Sequence, residues 1–353
     1  MLLAYPREFP PDATEARLPD AAAARAFLGL RGAAIDDVLA RRRAQLAPLL
    51  RDASDRRLLA SVEAAVVLGF ARLGLRHGHF GTDFHAYHNE GHVLDICGAR
   101  LDRLLASAGV NALPLAAWCV LLLFGACHDL RQREAPQPGA AVGANERASA
   151  EEAERILVAC NVPREAGNAL VASLELAIAG STFDARVPAG SRLNAAELVQ
   201  SGGALAPRLE PIIARDGPDA RDRADLAYAM PVALVAADLD TANVADAFAG
   251  FVASGEALCR EREMLSGRTL DSPAGAMPVL AFLTTMQERY FFELHRFVSP
   301  LGNAAFAAGK AANAARLKAV TASVRARIAV AGAPPDGDHV IGAWRAAAAE
   351  LGA

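Results

Sequence analysis

The stretch Ala112–Cys127 limits most strongly what this chain can become. It contains no charged residue, includes Trp118 and the run Leu121–Leu122–Leu123–Phe124, and ends directly in His128–Asp129. A segment this apolar must leave water, yet it is shorter than the about 20 residues a transmembrane helix needs. It therefore reads as the central helix of a folded core. Burying that helix sets a second condition. The carboxylate of Asp129 arrives at the edge of the core, where charge is costly unless it is compensated, and a metal ion is the strongest compensation.

The rest of the chain can surround such a helix. At 53% hydrophobic and 22% charged, it has enough apolar material for a large core, which excludes a disordered chain. A net charge of -4 supplies no general attraction for nucleic acid or anionic lipid, so neither partner is expected, and no membrane association either. The only lysines are Lys310 and Lys318, and the abundant Ala raises helix propensity throughout. The five cysteines are scattered, lack C-x-x-C spacing and mostly have apolar neighbours. They read as reduced thiols, and Met1–Pro11 lacks the apolar core of a signal peptide, so a cytoplasmic location is expected.

Helical periodicity dominates. Residues 1–55 read as peripheral N-terminal helices. A helix is expected from about Asp55 to Leu75, with Leu58, Leu59, Val62, Val66, Val67 and Phe70 on one stripe. Another should run from Tyr87 to Leu105, and an acidic-leading one from Asn145 to Cys160. Gly180–Asp225, with Gly202–Gly203, Pro207, Pro211 and Gly217–Pro218, is the least helical part and reads as a rim around a site. Helices are expected again over Leu226–Leu258, Val279–Phe297 and Ala304–Val330. No stretch alternates convincingly with a period of two, so no strand is expected. The organisation is thus all-α, with 1–55 as N-terminal decoration, a compact helical bundle over 56–330, and a helical tail over 331–353.

Chemistry concentrates in Tyr87–His88–Asn89–Glu90–Gly91–His92. Residues four apart on a helix share a face, so His88 and His92 would lie together. His128–Asp129 adds an imidazole and a carboxylate at the end of the apolar helix. Asp238 and Asp240, embedded among Val232, Leu234 and Val235, add acidic groups on a third element. Mixed imidazole and carboxylate donors on three elements point to a metal site. His77, His79 and His85 flank the first motif and read as exposed loop histidines.

Tyr87–His88–Asn89–x–x–His92, His128–Asp129 and Ala237–Asp238–Leu239 resemble the Y-H-N-x-x-H, HD and A-D-L elements of class I cyclic nucleotide phosphodiesterases, within the HD-domain metal-dependent phosphohydrolases. The resemblance spans roughly Asp55 to Leu301. It implies the helical fold of that superfamily and an enzyme with two divalent metal ions, zinc, iron or manganese at the first position and magnesium or manganese at the second. His92, His128, Asp129 and Asp238 would be the metal ligands, with Asp129 bridging. His88 would be the general acid for the leaving oxygen, Tyr87 and Asn89 would line the phosphate site, and Gln287 with Tyr290 would clamp a nucleotide base. Glu146, in a stretch resembling the N-E-x-S-A element of small bacterial HD phosphohydrolases, would stand behind the ligands. The implied substrate is a cyclic nucleotide or a similar small phosphodiester. An HD-type phosphomonoesterase or nucleotidase, or a ligand sensor with a degenerate site, are the alternatives. The chain departs from the phosphodiesterases after its HD pair, where Leu130–Arg131–Gln132–Arg133 replaces the usual second histidine, and Arg131 or Arg133 would be free to meet a phosphate.

Overall fold

Aspartates set the starts of the first helices. Asp12 accepts from the Glu15 N–H, Asp20 from Ala23, and Asp52 from Ser54 and Asp55, each satisfying an N–H that an α-helix leaves unpaired at its first turn. These caps open α1 (Ala13–Arg17), α2 (Ala21–Leu28) and, after α3 (Ala33–Leu46), the long α4 (Ala53–His77). The computed structural model describes Leu3 and residues 7–137, 139–162, 167–186, 199–216 and 224–353. Parts of the expected rim, 187–198 and 217–223, lie outside the described residues.

The chain continues as α5 (Glu90–Leu94), α6 (Leu101–Ala108), α7 (Leu115–Cys127), α8 (Ala144–Ala159), α9 (Gly167–Ser181), strands β1 (Phe183–Arg186) and β2 (Val199–Ala204), and α10 (Leu209–Asp216). It ends with α11 (Ala224–Asp240), α12 (Phe248–Leu265), α13 (Pro273–Ala281), α14 (Gln287–Arg289), α15 (Pro300–Ala331) and α16 (Gly337–Ala349). With 75% of the chain helical, the fold is all-α as expected.

The paired strands β1 and β2 were not expected. They fall in the Gly-rich stretch, where Gly202 lies against Asp184, and their pairing rests on backbone bonds rather than on a buried apolar face. The expected Leu226–Leu258 helix is also two helices, separated by a 3-10 turn over Thr241–Ala245. The Tyr87–Leu105 helix begins only at Glu90 and widens into a π turn over Asp95–Arg100. At that turn the Arg42 guanidinium donates to the carbonyls of Cys97 and Gly98 at 2.9 and 2.8 Å, satisfying groups that a regular helix would have paired.

Two compact units emerge. The first comprises residues 1–183, 204–240 and 298–305; the second comprises 184–203, 241–297 and 306–353. In the first, α7 is the core, its residues from Ala117 to Cys127 all buried, packed against α4, α9 and α11. Two glycines bring its C-terminal end close to its neighbours. A Cβ at Gly69 would sit 2.8 Å from the Ala126 carbonyl, and one at Gly125 only 2.6 Å from Cys97 Sγ. The same approach carries His128 towards α5. In the second unit α16 packs on α12 and α13, with Trp344 buried and its indole N–H donating to the Val252 carbonyl at 3.3 Å. Among the described residues one helix, α4, is long and apolar enough to cross a membrane, and 78% of its apolar window is buried inside the fold. All five cysteines are free and buried.

Candidate metal centre

Three elements of the first unit deliver donors to one point. Asn89 caps α5: its side-chain oxygen accepts from Gly91 N–H and its amide donates to the His85 carbonyl. The cap fixes where the helix starts and so aims His92. The end of α7 presents His128, whose Nδ1–H donates to the Phe124 carbonyl at 3.0 Å while its ring stacks on Phe124. That bond places one proton on Nδ1 and turns Nε2 towards the carboxylates, where it can hold a second proton or ligate an ion. The last residue of α11 presents Asp240. Ligand atoms of His92, His128 and Asp240 all lie within 4.8 Å of one another.

Asp129 joins them. Its Oδ2 is 2.9 Å from His128 Nε2 and 3.6 Å from His92 Nε2, while Asp240 Oδ1 is 3.3 and 3.2 Å from the same two nitrogens. Its other oxygen, Oδ1, accepts from the Gln132 amide at 2.8 Å, and Gln132 is in turn held by Asn145. Gln132 thereby orients the carboxylate.

The arrangement calls for a cation. His128 Nε2 and Asp129 Oδ2 are buried, and neither makes a hydrogen bond among the described residues. A lone pair facing carboxylate oxygens at this range is repulsive unless a proton or a metal ion lies between them. Burial lowers the affinity of His128 for a proton, but the charges of Asp129 and Asp240 outweigh it and push its pKa up to about 10, so without an ion Nε2 carries a proton that a metal would have to displace. For His92 burial prevails and its pKa is lowered, which keeps it in the neutral, ligating form. Burial opposes ionisation of Asp129 and Asp240, yet the surrounding imidazoles hold both below the ordinary carboxylate range. Three of the four separations, 3.2–3.6 Å, resemble the ~3.3 Å between neighbouring ligands of a four-coordinate ion with bonds of about 2.0–2.1 Å, while His128 and Asp129 at 2.9 Å stand at hydrogen-bond distance. His92, His128, Asp129 and Asp240 thus fit a metal ion by donor type and spacing.

Asp238 is not among them. Its Oδ1 accepts from Val298 N–H at 2.7 Å, and its Oδ2 accepts from Ser299 N–H at 2.8 Å and Ser299 Oγ at 2.6 Å. It secures the N-terminal end of α15, where a Cβ at Gly302 would come within 2.1 Å of Oδ2. Two residues along a helix differ in direction by about 200°, so Asp238 and Asp240 face nearly opposite ways and only one can reach the histidines. The sequence singled out both acidic residues but assigned the ligand to Asp238. Asn89 likewise has its amide engaged on both sides as a cap.

The remaining residues distribute as follows. The Tyr87 ring is 4.6 Å from that of His92, and its hydroxyl engages Arg100. The His88 ring lies 6.0 Å from His92, and its charge contributes to holding Asp129 ionised. Glu146, at the start of α8, has a buried oxygen without a hydrogen bond among the described residues; burial, with Asp129 and Asp240 nearby, pushes it up to about 7. Arg131 pairs with Glu134, and Arg133 with Asp83. Gln287 and Tyr290 belong to the second unit, where Gln287 is buried between two π turns and Tyr290 meets the ring of His295.

Arg100 escaped the sequence reading altogether. Its guanidinium is buried and donates to the carbonyls of Leu239 and Asp240 at 3.0 and 2.6 Å, pinning the end of α11 that carries Asp240. No protein family and no curated protein matches the chain.

Proposed function

We propose that this protein is a metal-dependent phosphohydrolase of the HD type, acting on a small phosphodiester of the cyclic-nucleotide class. One observation carries the reading: two imidazole Nε2 atoms and two ionised carboxylates converge, buried, with a His-Asp pair at the end of a core helix. His92, His128, Asp129 and Asp240 would hold the first ion. Asp129, with Glu146 nearby, would also help to hold a second ion. Bound divalent ions would supply the Lewis acidity that activates water and neutralises phosphoryl oxygens.

The chain's own residues have separate tasks. His88 is half-buried and one ring away from His92, where its imidazole N–H can pass a proton to a departing alkoxide. Such a proton is worth about 10²–10⁴ in rate. Tyr87 would fill the wall beside the phosphate, held in place by Arg100. Gln132 would keep Asp129 aimed through its Oδ1. Gln287 and Tyr290 are proposed to recognise a base, on the resemblance alone.

The test is turnover by the full-length protein, with added manganese and magnesium, on cyclic nucleotides, nucleoside monophosphates and nitrophenyl mono- and diesters. Hydrolysis of the diesters, reduced about 10²–10⁴-fold in His88→Ala, is expected. Activity confined to monoesters would overturn the diesterase reading, and absence of any metal-dependent hydrolysis would overturn the phosphohydrolase.

A further inference from the structure

The loop that delivers Tyr87 and His88 is tied down by a second set of side chains. Its start, His77, is the last residue of α4, and the backbone N–H of His85 returns to donate to the His77 carbonyl at 2.8 Å. This closure places the two rings 4.2 Å apart at a tilt of 46°. Contrary to the exposed histidines the sequence suggested, His77 is 2% and His85 0% exposed. His79 is the exposed one, its side chain 67% accessible and paired to Glu90.

Between the two buried rings stands one carboxylate. Asp83 Oδ2 is 3.3 Å from His77 Nδ1 and 3.4 Å from His85 Nε2. Arg133 pairs with the same carboxylate in a fork, Nη2 on Oδ1 and Nε on Oδ2. A fork occupies one lone pair on each oxygen and leaves the second lone pair of Oδ2 for the histidine side. Arg133 thereby keeps Asp83 ionised.

The geometry points to a second, separate transition-metal site of the zinc class, formed by His77, Asp83 and His85, that locks the loop between α4 and α5. Two neutral imidazoles and one monodentate carboxylate are a common donor set for such an ion, with a fourth position left to water, and Asp83 is open enough to admit one. The nitrogen–oxygen separations exceed the about 2.9–3.0 Å of an ordinary N–H···O bond. They equal the ~3.3–3.4 Å that a tetrahedral ion with bonds of about 2.0–2.1 Å imposes on adjacent ligand atoms. Arg133 then acts from behind the ligand, as outer partners of metal-bound carboxylates do. The site shares no ligand with the centre of His92, His128, Asp129 and Asp240.

Zinc stoichiometry of the full-length protein, measured by competition with a chromophoric chelator, tests this with four variants. Asp83→Asn and His85→Gln should each bind one equivalent fewer than the wild type. Asp240→Asn should keep the equivalent that Asp83→Asn loses, and with cobalt in place of zinc it should show the visible absorption of a four-coordinate ion. The double variant Asp83→Asn/Asp240→Asn should lack that band. Because His85 is fully buried and its variant can fail to fold, circular dichroism accompanies each protein, and Asp83→Asn, at a half-exposed position, decides in that case. Unchanged stoichiometry in Asp83→Asn, or an Asp240→Asn protein that binds no ion, would overturn the proposal.

Discussion

At the scale of single residues, two aspartates two positions apart on one helix have opposite duties. Asp240 faces the histidines; Asp238 accepts three hydrogen bonds from Val298 and Ser299. Asparagine at 238 would turn an NH2 towards one of those donors, so Asp238→Asn should lower stability by about 1–3 kcal/mol, read as a fall in the denaturant midpoint. An unchanged midpoint would show that the aspartate is not holding α15. His295 makes a second prediction. Burial, with Lys310 and Arg296 nearby, pushes its pKa down to about 3, and its Nε2 lies 3.1 Å from Thr241 Oγ1. The folded state keeps it neutral while the unfolded chain takes up a proton near 6.5, so the unfolded state binds more protons between those values. Stability should therefore fall as pH drops from about 6.5 towards about 3, by up to ~1.4 kcal/mol per pH unit. Urea titrations at pH 7 and pH 5 should show a smaller loss in His295→Leu than in the wild type.

At the scale of elements, the legible parts were those where a single physical requirement acted. The uncharged run of α7 could only be buried, and its His128–Asp129 end had to arrive at a compensating group. The stripe of α4 and the acidic start of α8 were read from periodicity and dipole preference in the same way. What stayed hidden depended on contacts distant in sequence. The start of α5 moved to Glu90 because the side chain of Asn89 is its cap. The π turn after α5 is stabilised by Arg42 from α3, and the break after α11 by Arg100. No local pattern distinguishes those arginines from the many others. Asp238, the ligand the A-D-L resemblance implies, and Asp240 are not told apart by the sequence for a related reason: an apolar helix without a clear polar face gives no sign of which side meets the histidines. The burial of His77 and His85 was likewise invisible, since it comes from a backbone closure across the loop. Arg100 yields a prediction at this scale. Arg100→Lys loses one donor geometry but keeps the charge, and a loosened α11 terminus should weaken manganese binding about 10–100-fold in chelator competition. Undiminished affinity would remove Arg100 from the account.

At the scale of the whole molecule, 36 basic residues against 40 acidic ones leave a net charge of -4, which gives no net basic field to gather the anionic substrate proposed. On the proposed function, attraction would come from ions held at short range by buried donors. Raising the salt from 50 to 500 mM should then change kcat/KM by less than about threefold, because screening acts on exposed, distant charges. A steep salt dependence would point instead to a basic surface. The all-α architecture followed from composition and periodicity, whereas the division into two units, with the donor group in the first and Gln287 and Tyr290 in the second, did not. The most direct test of the central claim is manganese binding by the wild type, Asp240→Asn and Asp238→Asn, measured calorimetrically on folded protein. The account predicts that Asp240→Asn loses at least about 10²-fold in affinity while Asp238→Asn binds as the wild type does. Loss in Asp238→Asn with retention in Asp240→Asn would contradict it.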